Sequence, residues 1–292
     1  MLHPALDSLL HPWIFIGISL SYLPRTLLDL LLARDLRTLL SWPRLRASWF
    51  GRFWARVGPD VRANAEARVV PLLQGRVSHG CILPPPPSPP SGSSASSTST
   101  LPHPPVGGTI IEVGPGSGMW TSLYTPAHLP TSRIDKIYGI EPNPSVHGLL
   151  RAQIAAAGLG SVYEIVPVGI EDLAASGAVA PGSADAVVTV MCLCSIPAPR
   201  HNIAQLYGYL KPGGRWYVYE HVRCSRSQGW AMRLYQAFLN LLWPHFIGGC
   251  EMGRDTAKWL REAGPWSEVD LAPPEDDQWY HTLPHVIGVL TK

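Results

Sequence analysis

Charge is what this sequence has least of: 15% of its 292 residues are Asp, Glu, Lys or Arg, against 46% hydrophobic. That is lean for a surface wholly washed by water, and it leaves room for a face turned to something apolar. With a formal net charge of +2, no strong field of one sign selects a partner, and beyond residue 77 there is no basic stripe of the kind that tracks a nucleic-acid backbone. Nucleic acid is not expected as a partner. Cysteine is scarce as well: Cys81, Cys192, Cys194, Cys224 and Cys250 form an odd set without a paired framework, which fits a reducing, intracellular compartment. No zinc-ligand spacing appears, and Cys192 and Cys194, inside an apolar run, read as inert core residues, so no metal is expected. Also missing are a basic region ahead of the first apolar stretch and a small-residue cleavage site after it, which argues against a signal peptide. No internal repeat is present.

What is present changes character twice. Residues 1–77 hold ten arginines against five acids, net +5, while the remainder is net −3. These arginines are interleaved with Leu, Trp and Phe, a pattern suited to anionic lipid headgroups. The apolar run at 13–23 is about half the roughly twenty residues that span hydrocarbon, and Pro12 and Pro24 interrupt its surroundings. A monotopic or hairpin-like anchor is expected rather than a span. Across 36–73, Leu39, Leu40, Trp42, Leu45, Trp49, Phe50, Phe53, Trp54 and Val57 recur at helical spacing. They either face a membrane or cover the catalytic domain. Nine prolines and seven serines between Pro84 and Pro105 then mark 78–107 as a disordered linker that cannot build a packed core.

From 108 to 292 the apolar pattern alternates between strand and helix types. Strands are expected at 109–113, 137–141, 162–166, 184–190, 215–220 and 285–290, and helices at 145–157, 201–210 and 255–263. Short apolar strands separated by helices imply a parallel sheet covered on both faces.

The strongest local signal is TIIEVGPGSGMW at 109–120, where a strand runs straight into Gly114, Gly116 and Gly118. Glycine turns after a first strand let backbone approach a ligand closely. A dinucleotide site wants G-x-G-x-x-G; G-x-G-x-G preceded by Glu112 suits an amino-acid tail instead of a pyrophosphate. One βα unit later, the run KIYGIEPNPS ends its strand on Glu141, whose carboxylate can take two ribose hydroxyls. In VPVGIEDL, Ile170 can pack on adenine, and Glu171 or Asp172 can accept from its amine or simply lead a short helix.

This order of motifs resembles the class I S-adenosylmethionine-dependent methyltransferases over residues 106–292. In that family E-x-G-x-G-x-G is followed by an acid ending the second strand, a strand reaching the reaction centre, and L-[KR]-P-G-G before the fifth strand. Here these are Glu112 to Gly118, Glu141, 184–195 and YLKPGGRWYVYEHV at 209–222. The resemblance implies an α/β fold, a Rossmann-like, seven-stranded, mostly parallel sheet with helices on both faces, behind an N-terminal helical apolar segment. It implies S-adenosyl-L-methionine as cofactor, held by Glu112, Gly114, Gly116, Gly118, Glu141, Pro142, Ile170, Glu171 and Met191. Many members carry Asp-Ala where this chain has Gly169-Ile170, so the usual adenine-binding carboxylate has no clear counterpart.

Within the class, VMCLCSIP, LKPGGRWYVYEHV and the tryptophan-rich NLLWPHFIGGCEMGRDTAKWL look like the membrane-associated alkyl-thiol methyltransferase-like group and, more distantly, the C-methyltransferases of quinone biosynthesis. The group's hydrophobic anchor agrees with the composition of the N-terminus. The implied acceptor is a small, apolar thiol, otherwise an O, N or C nucleophile. The implied location is an intracellular membrane surface, such as endoplasmic reticulum or lipid droplet, with the catalytic domain cytosolic. His221, just past the fifth strand, is the candidate catalytic base. Glu220 either orients it or, like His221 itself, is a hydrogen-bonded structural group. Trp243 and His245 either wall the acceptor pocket or belong to the core. Two other classes stay open: an NAD(P)-dependent oxidoreductase, opposed by the glycine spacing and a missing Tyr-x-x-x-Lys pair, and a non-catalytic, cofactor-binding membrane scaffold.

Overall fold

The computed structural model describes residues 3–85 and 101–292. Three helices come first: α1 (Pro4–Leu32), α2 (Leu36–Leu39) and α3 (Trp42–Leu73). A small hairpin of β1 (Val77–Ser78) and β2 (Cys81–Ile82) follows. The sheet-forming part then runs β3 (Gly108–Val113), β4 (Ile134–Ile140), α4 (His147–Ala156), β5 (Tyr163–Val166), α5 (Leu173–Ser176), β6 (Ala184–Val190), α6 (Pro199–Tyr209) and β7 (Leu210–His221). It ends with α7 (Gly229–Leu239), α8 (Trp243–Phe246), α9 (Thr256–Arg261), β8 (Glu268–Ala272) and β9 (His285–Thr291).

Seven strands form one sheet in the order β5-β4-β3-β6-β7-β9-β8. β3 to β7 pair in parallel, and β9 runs antiparallel to both its neighbours. Strand order reverses between β3 and β6, and such a switch point opens a crevice at the carboxyl ends of the strands. Central strands are apolar on both sides because both sheet faces are covered. On one face Ile110, Val188, Tyr217 and Val289 pack with Val69 and Leu72 of α3 and Leu150 and Ile154 of α4. On the other, Ile111, Val187, Val218 and Leu290 pack with Ile203 and Leu206 of α6 and Leu260 of α9. This is the Rossmann-like α/β architecture.

Helix α1 passes through Pro12 and Pro24 without a break. Each proline removes one backbone hydrogen bond, and contacts along the helix offset that loss. Trp49 Nε1 donates to the Ser19 carbonyl at 2.8 Å and Ser19 Oγ to the Phe246 carbonyl at 2.7 Å. Thr282 Oγ1 donates to the Ser8 carbonyl at 3.0 Å, and Arg52 pairs with Asp29. The interruption expected at the two prolines is thereby corrected to a single 29-residue helix. It is long and apolar enough to cross a membrane, and it keeps an open outer face that includes Leu6, Leu10, Trp13, Ile14, Leu28, Leu31 and Leu32. On α3, Trp42 is exposed, whereas Trp49 and Phe53 are fully buried and cover the sheet domain.

Most of the proline/serine run, 86–100, lies outside the described residues, and with it half of the disordered linker expected over 78–107. The flanks are ordered. Val106 is fully buried, and His103, buried beneath the sheet edge, bonds Asp270 of β8 at 2.9 Å.

Candidate active site

The crevice at the carboxyl edge is roofed by the N-terminal helices, giving a cavity of about 920 Å³. Phe15 from α1, Phe50 and Trp54 from α3 and Trp243 from α8 make one wall, with Phe15 stacked on Trp243 at 5.8 Å and Phe50 on Trp54 at 5.4 Å between ring centroids, and Phe53 edge-on to Phe15 at 5.2 Å behind them. The opposite wall is the sheet edge, with Gly114, Gly116, Glu141, Pro142, Ile170, Met191, Cys194 and His221. A depression of about 360 Å³ at the other end of the strands is lined by Asp135, Asp185 and Lys211. It carries none of the residues expected to hold the cofactor, and its Asp185–Lys211 pair at 2.8 Å ties strand ends together.

The glycine loop takes the left-handed backbone its sequence requires. Gly114 has φ +64°, and a Cβ there would press on Cys192 Cβ at 2.9 Å. Gly116 has φ +57°, yet a Cβ there would meet nothing within 4 Å, so its outer side faces open space. Gly118, φ +85°, packs against Gln153 and is not on the cavity wall.

Glu141 meets that loop directly. Its Oε2 accepts the Gly116 N–H at 2.9 Å and its Oε1 accepts the Asn143 N–H at 2.8 Å, while the His147 ring donates to its carbonyl at 2.9 Å. Burial raises the carboxyl above its ordinary pKa, and the two amides pull it back. An ionised carboxylate has about four lone-pair sites, so roughly two remain for hydroxyl donors. The glycine turn of the first sheet strand and the acid of the second thus share one surface. A buried acceptor pair, open space over Gly116 and an apolar shelf at Ile170 fit an adenosyl group joined to an amino-acid tail.

Other expected residues fall elsewhere. Glu112 lies under the loop, buried, accepting from Tyr163 OH at 2.6 Å and not on the cavity wall. Burial pushes its carboxyl up to about 7. Glu171 is exposed, beside Gly169, with its neighbour Ile170 buried in the wall. Met191 sits at φ +53°, held by its N–H to the Tyr219 carbonyl at 2.8 Å.

Glu220 and His221 point to opposite faces, as adjacent strand residues must. Glu220 does not orient His221: it accepts from the amides of Cys192 and Leu193 at 3.1 and 3.2 Å, fixing the loop after β6. Burial pushes it up to about 8. His221 instead meets Cys250, Nε2 to Sγ, at 3.1 Å. Burial opposes charge on its ring, but Cys194 beside it raises the pKa above the usual value, and Cys194 itself is pulled well below the thiol range, first by a bond to Cys250 and then by His221. Trp243 is buried in the wall, whereas His245 is exposed and off the cavity. The grouping of Cys194, His221 and Cys250 was not legible in the sequence, because three segments supply one residue each and no local spacing announces them.

The model of a family described as a methyltransferase domain matches residues 95–264. The chain is 30% identical over 185 residues to the thiol S-methyltransferase TMT1B of Rattus norvegicus, covering 63% of this chain and 70% of that one. It is 29% identical over 185 residues to the human thiol S-methyltransferase TMT1A, with the same coverage. Among solved structures, an O-methyltransferase family protein from Burkholderia thailandensis superposes with a TM-score of 0.49 at 16% identity, covering 85% of this chain and 59% of that one.

Proposed function

The chain belongs to the methyltransferase-domain family and uses S-adenosylmethionine as its methyl donor, and from that premise we propose that it methylates the sulfur of a small, hydrophobic thiol while α1 rests on a membrane surface. The observation that carries this reading is the bond from the Gly116 amide to Glu141 at the wall of an aromatic-roofed cavity that also presents His221. The relatives, both named thiol S-methyltransferases, support sulfur as the acceptor atom.

S-adenosylmethionine supplies, when bound, a methyl group already activated by a sulfonium centre. What remains for the chain is to bind, orient and keep water away. Glu141 offers its free lone pairs to the ribose hydroxyls, and the loop of Gly114, Gly116 and Gly118 receives the amino-acid tail. Pro142 and Ile170 pack on the adenine, with Glu171 at the solvent rim and Met191 on the reaction side. Glu112, bonded to Tyr163, supports the loop from below. Phe15, Phe50, Trp54 and Trp243 exclude water and favour an apolar acceptor. The proton to be moved is that of the acceptor S–H, and His221 is the buried imidazole facing the acceptor space.

α1 is packed along its length on α3 and α8, which supports lying on a membrane rather than crossing it. The cytosolic face of the endoplasmic reticulum or a lipid droplet would satisfy that arrangement. The test is transfer of label from S-adenosylmethionine by the full-length protein to a panel of hydrophobic thiols, phenols, amines and quinols. Labelled thioethers are expected. Label appearing only on oxygen, nitrogen or carbon would overturn the thiol assignment, and cofactor binding without transfer to any class would make the protein a scaffold.

A further inference from the structure

Three segments place one residue each at a single spot of the cavity wall: Cys194 after β6, His221 ending β7 and Cys250 after α8. Their two sulfurs and one ring nitrogen lie within 4.8 Å of one another, and all three side chains are buried. The spot is braced from outside. Glu251 N–H donates to the Cys194 carbonyl at 2.9 Å, and Arg254 donates to the carbonyls of Leu193 and Ile196, both at 2.7 Å. Cys250 Sγ accepts the indole N–H of Trp243 at 3.2 Å, which fixes this sulfur in the cavity wall. His221 Nδ1 is buried and has no hydrogen-bond partner among the described residues.

We propose that Cys194, His221 and Cys250 bind a zinc ion whose fourth position opens on the cavity and takes the sulfur of the acceptor. Zinc sites that act on a substrate keep three protein ligands and one open position, with Zn–S of about 2.3 Å and Zn–N of about 2.0–2.1 Å. In a tetrahedron those bonds set neighbouring ligand atoms about 3.5–3.8 Å apart. Side-chain shifts of about an ångström or less bring the present set to that spacing. Two sulfurs and an imidazole select zinc over the oxygen-seeking magnesium and calcium. Two thiolates also cancel the charge of the ion, which suits an apolar wall, and Arg254, only 6% exposed, stands beside the site when a third sulfur arrives.

The use of the fourth position rests on the thiol reading above. A thiol entering it loses its S–H proton to bulk water as the zinc–sulfur bond forms, leaving a bound thiolate with a lone pair to accept the methyl group. The product is a neutral thioether, a poor zinc ligand, and leaves. His221 then serves the acceptor as a ligand of the ion in place of a free base.

The full-length protein, purified under reducing conditions without chelator, is expected to carry about one zinc per chain by mass spectrometry of the metal. Stripped and reloaded with cobalt, it should show sulfur-to-cobalt charge-transfer absorption that falls by about half in Cys194→Ser and in Cys250→Ser and disappears in the double variant. A short hydrophobic thiol should perturb the cobalt spectrum of the wild-type protein. Less than about a tenth of an equivalent of zinc, and no cobalt band, in protein that still binds S-adenosylmethionine would overturn the proposal. So would an unaltered cobalt band in the double variant. A cobalt spectrum indifferent to thiols would remove the acceptor role. Thiol methylation at full rate after chelation would sink the zinc site and leave the thiol reading standing; methylation confined to phenols or quinols would do the reverse.

Discussion

Glu141 and Glu112 end and approach the carboxyl edge on neighbouring strands, and their surroundings give them different work. Glu141 holds two backbone amides and keeps lone pairs free toward the cavity. Glu141→Ala is expected to weaken S-adenosylmethionine binding by about 2–4 kcal/mol, roughly 30- to 1000-fold, with the fold retained. Calorimetric titration checks this, and unchanged affinity would remove the ribose assignment. Glu112 faces Tyr163 in a dry site, and its carboxyl moves from an ordinary 4.5 to about 7. A raised carboxyl means that the folded state prefers the neutral form. Its contribution is therefore favourable below about pH 4.5, is lost as pH rises to about 7, and is constant beyond, a span worth about 3 kcal/mol. Glu112→Gln keeps the shape and an acceptor for Tyr163 but cannot ionise. Thermal unfolding should show the variant more stable than wild type at pH 8 and level with it near pH 4.5; parallel pH profiles would refute the assignment. Both acids were legible as motif positions. Their division of labour was not, because it depends on Tyr163 and Asn143, which no spacing links to them.

At the scale of elements, legibility followed burial. β6 was expected at 184–190 and occupies Ala184–Val190, and β3 gains only Gly108, since buried central strands show unbroken apolar runs. β8, Glu268–Ala272, went unread because it is an edge strand whose Glu268 and Asp270 make it resemble a loop. The fifth strand was expected at 215–220, with KPGG ahead of it, whereas Lys211–Gly214 lies inside β7, where the pairing with β6 slips between Ala184 and Ala186. The length of α1 was hidden by Pro12 and Pro24, whose cost is met by partners more than 200 residues away, such as Phe246 and Thr282. Deleting residues 1–35 should release the protein from membranes but also uncover Phe53 and Trp243. A cleaner change is Leu28→Glu with Leu31→Glu and Leu32→Glu on the open face of α1. Flotation with anionic vesicles is expected to lose the triple variant while its thermal unfolding stays within about 1 kcal/mol of wild type. Equal flotation would show that this face does not meet lipid.

The whole molecule is a cofactor sheet with a lid made from the start of the chain. The sheet was foreseeable from residues 108–292; the lid was legible only as one of two alternatives, since the same spacing of Trp49, Phe50, Phe53 and Trp54 suits a membrane face as well as a cover over the domain. One consequence concerns supply. Phe15 and Ile18 of α1 look into the acceptor space, and the same helix turns Leu28, Leu31 and Leu32 outward. A greasy acceptor dissolved in the bilayer would then reach the enzyme by lateral diffusion, and turnover would follow its mole fraction in lipid instead of its molarity in the tube. Adding inert phosphatidylcholine vesicles at constant acceptor should slow methylation by surface dilution, while a water-soluble thiol should be methylated at an unchanged rate.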